Sequence, residues 1–158
     1  MSTSPITSPL NESERQIAGP ILQHSLADLI DLSLLAKQAH WNVVGPRFRS
    51  LHLHLDELVA IARQYTDEVA ERAAAIGVSP NGKAKTVDES SGLPDFPSGW
   101  TSDKDTVAAI VAILAELVKR LRARIDETDK ADLVTQDLMI EIARQLEQQH
   151  WMWQAYRA

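Results

Sequence analysis

The sequence predicts an all-α protein: a bundle of four long helices with a long crossover between the second and the third. Three observations predict it. The helix breakers are concentrated. Apart from Gly19 and Pro20, every Gly and Pro lies in the first nine residues, at Gly45-Pro46, or between Gly77 and Gly99. The stretches between them carry apolar residues at helical spacings of three, four and seven. No sustained alternation of apolar and polar residues marks a strand.

Composition agrees with one globular domain. The 158 residues include 22 acidic and 16 basic ones, a formal net charge of −6, and no cysteine. That length suits a single domain with a real core. The absence of cysteine excludes a disulfide framework, a thiolate zinc site, an iron–sulfur cluster and a cysteine nucleophile. The first residues, MSTSPITSPLNESERQ, lack a basic and an apolar signal region, and no apolar run approaches a membrane span. The expectation is a cytoplasmic protein with no membrane partner. Residues 1–17 read as a flexible tail.

Residues 21–44 form the first predicted helix. Leu22, Leu26, Leu29, Ala36 and Val43 recur at helical spacing, and Ile30 and Leu34 line a second edge. The polar strip is narrow (His24, Asp28, Asp31, Gln38), so this helix should be buried on two sides. Pro20 fits its first turn, and Gly45-Pro46 ends it. Residues 47–76 form the second helix, on the stripe Leu51, Leu55, Leu58, Ala62, Tyr65, Val69 and Ile76, with Gly77 as the residue after its C-cap. The link that follows is long and has room for one short helix. Ser102 with Asp105 resembles a capping box for the third helix, whose core positions run from Val107 to Ile125. Asp132 is a plausible N-cap for the fourth, carried by Leu138, Ile142, Leu146 and Trp153. A bundle with one long middle crossover is the ferritin-like arrangement.

The second helix carries the chemistry. With Leu51 at zero and about 100° per residue, its apolar stripe stays within about 40° of zero. His52, Asp56, Arg63, Asp67 and Glu71 fall between about 100° and 200°, on a face turned from the core. Each of the pairs His52/Asp56 and Asp67/Glu71 has i,i+4 spacing, so its members are neighbours. The pairs cannot share one metal within a chain, because Asp56 and Asp67 stand about 16 Å apart along the axis. Two antiparallel copies of this helix about a twofold axis would bring them together, and Ala60, Ala70 and Ala74 permit close approach. The result would be two equivalent interface sites, each built by both subunits. His40, near the end of the first helix, can bring a second imidazole beside His52. Such a mixed N/O set suits iron and related divalent metals. Singly, each residue has a plainer reading. Exposed carboxylates are ordinary solvated residues, Arg63 could pair with Asp67, and His40 could be a hydrogen-bonded boundary residue.

The stretch His40-Trp41-Asn42-Val43-Val44-Gly45, then Phe48, His52, Asp56 and Asp67-Glu68-Val69-Ala70-Glu71-Arg72, resembles the signature of the Dps family, the mini-ferritins. The resemblance extends more weakly through Ala74-Ala75-Ile76-Gly77, Ser79-Pro80, Thr128-Asp129-Lys130, Val134-Thr135-Gln136-Asp137 and Trp151-Met152. It implies a dodecameric cage in which ferrous iron is oxidised, preferentially by hydrogen peroxide, and stored as ferric mineral. It implies a ferroxidase site with His40, His52 and Asp56 from one chain and Asp67 and Glu71 from its twofold mate. Trp41, beside the first ligand, would help intercept radicals or serve as an interface aromatic. Asp129 and Asp137, with Asp132 nearby, resemble the family's iron-entry pore, and read equally as a solvated turn plus an N-cap. Leu133 falls where some relatives carry another Asp.

Two further patterns are set aside. Glu147-Gln148-Gln149-His150 fits the Glu-x-x-His motif of larger ferritins but has no second copy. His54 points about 200° from His52 and reads as an interface or surface residue. The DNA binding that the family's name promises is poorly supported. Residues 1–18 hold only Arg15 as a basic residue, and no basic run follows Trp153. The run Lys119-Arg120-Leu121-Arg122-Ala123-Arg124 is explained by the dipole of a helix C-terminus. The alternative function is a nucleoid-associated protein that compacts DNA and binds metal secondarily.

Overall fold

The computed structural model describes residues 4–157. Helix α1 spans Glu12–Asn42, α2 Phe48–Ala75, α3 Ala84–Ser90, α4 Asp103–Thr128 and α5 Leu133–Ala155. The four long helices form a bundle in which α1 packs on α2 and α4 on α5, the two pairs meeting chiefly through α1 and α4. The short α3 lies in the crossover and packs on α1. Two-residue strands, β1 (Val43–Val44) and β2 (Thr101–Ser102), pair in parallel and tie the end of α1 to the start of α4. Strands this short leave no alternation to read in the sequence.

Side-chain caps start α1, α4 and α5, and a glycine ends α2. Ser102 Oγ accepts from the Asp105 amide at 3.1 Å and donates to its carboxylate at 2.7 Å, so Ser102 caps the helix, with the return bond of the expected capping box made to its hydroxyl and not to its backbone amide. At the end of α2, the Gly77 amide bonds to the Ala74 carbonyl and the Val78 amide to Ala73. This double bond pattern needs a left-handed residue, and Gly77 has φ +79°.

Helix α1 starts at Glu12, about two turns before the expected Pro20 boundary. Asn11 and Glu14 form a capping box, with the Glu14 amide 3.0 Å from Asn11 Oδ1 and the Asn11 amide 2.9 Å from Glu14 Oε2. Pro20 sits inside the helix, exposed, and the helix runs through it. Part of the expected tail is therefore helical. Residues 25–29 of α1 are all buried.

Among them is Asp28, with no exposure. Its carboxylate accepts from Arg120 Nε at 2.9 Å, Arg124 Nη2 at 2.6 Å and the Gly92 amide at 3.0 Å. A side chain at Gly92 would collide with Arg120, its Cβ falling 2.3 Å from Nη1. This cluster joins α1, α4 and the crossover. It also corrects the helix-dipole account of the basic run. Arg120 and Arg124 answer a buried carboxylate, Arg122 pairs with Glu147 at 2.6 Å, and Lys119 with Glu116 at 3.4 Å.

Candidate metal centre

His40 closes α1 and His52 opens α2, so the short β1 turn brings the two rings face to face. Their centroids are 3.6 Å apart and their planes differ by 22°. His40 Nδ1 lies 2.8 Å from the His52 carbonyl oxygen, and His52 Nδ1 lies 2.9 Å from the His40 carbonyl oxygen. A carbonyl only accepts, so the hydrogen-bond network assigns the proton of each neutral ring to Nδ1. Each Nε2 then keeps a lone pair, the form that binds metal. Phe48 tilts against His52 at 5.0 Å.

Asp56, one turn beyond His52, is exposed. Its Oδ1 lies 3.4 Å from His40 Nδ1 and accepts a hydrogen bond from Lys37 of α1. That bond holds the Asp56 carboxyl below the usual carboxylate range, with His40 and His52 adding to the effect against some burial. Lys37 escaped the sequence reading. Its i−3 spacing from His40 was the available signal.

Asp67 and Glu71 lie on the same α2, about three and four turns beyond Asp56, and both are exposed. Neither forms an ion pair among the described residues, and Arg63 does not pair with Asp67. Because α2 is one unbroken helix, Asp56 and Asp67 are held about 16 Å apart along its axis. Among the described residues, no group of three His, Asp or Glu could hold a metal ion within the single chain. The four α2 residues thus stand as two separate pairs on one outward face, with Ala60 and Ala74 exposed between and beyond them, and His40, buried, joins the first pair from α1. Trp41, next in sequence to His40, is 64% exposed, and Val44 and Phe48 are exposed as well.

The three acidic residues near the last turn differ among themselves. Asp129 is exposed and accepts from Gln136 Nε2 at 3.2 Å. Asp137 is exposed on α5. Asp132 is buried, and both its oxygens are engaged. Oδ1 takes the Val134 amide, and Oδ2 takes the Thr135 amide, the Thr135 hydroxyl and Arg72 Nη2 at 2.6 Å. Burial raises its carboxyl pKa, but the bonds from Thr135 and Arg72 outweigh that and leave it lowered. Asp132 is thus engaged within the chain as a cap and ion-pair partner, the N-cap alternative of the sequence reading.

The two patterns set aside resolve differently. Glu147 is taken by Arg122, and His150 by Gln154 at 3.1 Å. His54 is buried, against the expectation of a surface residue. It bonds to Gln149 at 3.0 Å and stacks on Trp153 at 4.7 Å, inside the α2–α5 contact.

Comparison with known proteins places this arrangement. A family model described as the ferritin-like domain matches residues 20–158. The DNA protection during starvation protein of Mycolicibacterium smegmatis is 35% identical over 151 residues, covering 93% of this chain and 80% of that protein. The tetragonal form of Mycobacterium smegmatis Dps superposes with a TM-score of 0.92 at 33% identity, covering 98% of this chain and 94% of the other. The Microbacterium arborescens Dps in its high iron form gives 0.89 at 32%, covering 95% and 97%. With the histidine pair, the outward carboxylates and these likenesses together, the chain belongs to the Dps family, the ferritin-like proteins of iron storage and DNA protection.

Proposed function

We propose that this protein oxidises ferrous iron with hydrogen peroxide at sites shared by two subunits and stores the ferric product in a closed homo-oligomer of twelve chains. The observation that carries this reading is the division of one helix face. His52 and Asp56 stand at one end of it, joined by His40 from α1, and Asp67 and Glu71 at the other, and neither group has enough ligands alone. A twofold antiparallel pairing of α2 supplies the missing half to each. The donor chemistry fits the substrate: two Nε2 lone pairs and three carboxylates make a set that ferrous iron accepts. The relative titled as a high iron form supports the same metal.

In the reaction, two ferrous ions each give one electron. The peroxide O–O bond breaks, two protons are taken up, and two waters form. His40 and His52 hold and orient the first ion through their fixed tautomers. Asp56, with the mate's Asp67 and Glu71, balances its charge. Pairing both electrons at one place avoids release of a hydroxyl radical. Trp41 is placed to take up a stray oxidising equivalent. Asp129 and Asp137 are the candidates for lining an iron-entry pore.

Size-exclusion light scattering, anaerobic ferrous loading and a peroxide challenge test the reading together. A large closed assembly should consume about one peroxide per two ferrous ions and retain the iron. A dimer that neither oxidises nor retains iron would overturn it. So would a His40→Ala/Asp56→Ala variant that oxidises at the wild-type rate.

A further inference from the structure

Of the three candidate carboxylate ligands, only Asp56 has an ion-pair partner among the described residues. That partner, Lys37, reaches it across the α1–α2 contact, one turn before His40 on the same helix. The Lys37 side chain is 23% exposed and the carboxylate it meets is 48% exposed. Most of its stem is covered by the fold, which fixes where the ammonium arrives. The ammonium sits on Oδ1, the oxygen that also faces His40.

We infer that Lys37 is the resident counter-ion of the metal site, holding Asp56 while the site is empty and yielding it to the incoming divalent cation. This rests on the metal-centre reading above. An ammonium and a divalent cation want the same carboxylate lone pairs, and they repel each other. Lys37 therefore competes with the metal and weakens its hold. It is a positioning residue, since it acts through Asp56. The consequence is a site tuned below its maximal affinity, so that oxidised iron can pass on to storage. Removing one unit charge about 5 Å from a divalent ion changes binding about tenfold even at the dielectric of water.

The test is an anaerobic titration of the full-length protein with cobalt(II), followed by its visible absorption bands. Lys37→Gln and Lys37→Met should each bind the first cobalt ion about tenfold more tightly than wild type. Met keeps the aliphatic stem, so it guards against a packing defect in the Gln variant. Lys37→Arg should return affinity to near wild type, which a merely structural role would not predict. Added salt should narrow the difference between Lys37→Met and wild type. Equal or weaker binding by both folded neutral variants overturns the inference. Should wild type and His52→Ala show the same cobalt spectrum, the metal-centre reading fails and this inference falls with it. Should wild type bind through His52 while the neutral variants match it, only the counter-ion role is lost.

Discussion

His40 and His52 are locked to each other: each ring bonds through Nδ1 to the other residue's backbone carbonyl, at 2.8 and 2.9 Å, with the rings stacked at 3.6 Å. The lock fixes both tautomers before any metal arrives. Truncating one ring should therefore damage the other's alignment as well as remove a ligand. His52→Ala is expected to slow peroxide-driven ferrous oxidation by at least about tenfold, since even outer hydrogen bonds to ligands are worth that much. Stopped-flow absorbance of ferric product checks it, and an unchanged rate would remove His52 from the site.

Asp28 should be among the costlier residues to neutralise. It has no exposure, and Arg124 against it is 8% exposed along its side chain. Asp28→Asn leaves a buried guanidinium without its charge partner, a loss of roughly 3–5 kcal/mol. Arg122→Gln removes a pair whose arginine is 68% exposed, and should leave the melting midpoint close to that of wild type. Thermal melting at one fixed protein concentration separates them, and similar midpoints would contradict the assignment.

Asp132 predicts a pH dependence. Its carboxyl pKa is lowered in the fold by Thr135 and Arg72 despite burial. The stabilisation is therefore fully present above the unfolded value of about 3.9 and is lost as pH falls through the lower folded value. Melting temperatures of wild type should drop over that acid window by more than those of Asp132→Asn. At pH 7 the variant should already be weakened, since it loses a cap and an ion pair. Parallel slopes below pH 4 would show that the carboxylate is not the group responsible.

DNA retention should be weak. Four of the basic residues nearest each other in sequence are engaged inside the chain, with Asp28, Glu147 and Glu116 as partners. Gel-shift titration of duplex DNA is expected to show no complex at moderate salt. A complex whose affinity falls steeply as salt rises would establish phosphate contacts and favour the DNA-compacting alternative.

Gly77 offers a local test of the α2 terminus. Its φ of +79° is one that L side chains avoid, and an added Cβ would lie 3.2 Å from the Ile6 carbonyl oxygen. Gly77→Ala should destabilise by about 1–2 kcal/mol without changing iron chemistry. A stabilised variant would mean that the left-handed cap is not required.

The sequence by itself determined the helical architecture and the order of its parts. The reason is that periodicity and caps are local. The stripe from Leu51 to Ile76, the Ser102 cap, the Asp132 cap and the Gly77 terminator each act within a turn or two. The spacing of His52, Asp56, Asp67 and Glu71 was legible for the same reason, because one unbroken helix converts sequence interval into distance. The early start of α1 was also written locally, in Asn11 and Glu14, but Pro20 masked it. What only the tertiary structure decided are the contacts between distant segments. Asp28 looked like part of a polar strip until Arg120 and Arg124 closed on it from α4. His54 looked exposed until Trp153 covered it. Asp132 read as a cap, but its ion pair with Arg72 could not be seen, and Asp56 looked free for a metal until Lys37 reached it from α1. A charge's role depends on which opposite charge the packing brings within a few ångströms, and no interval along the chain encodes that.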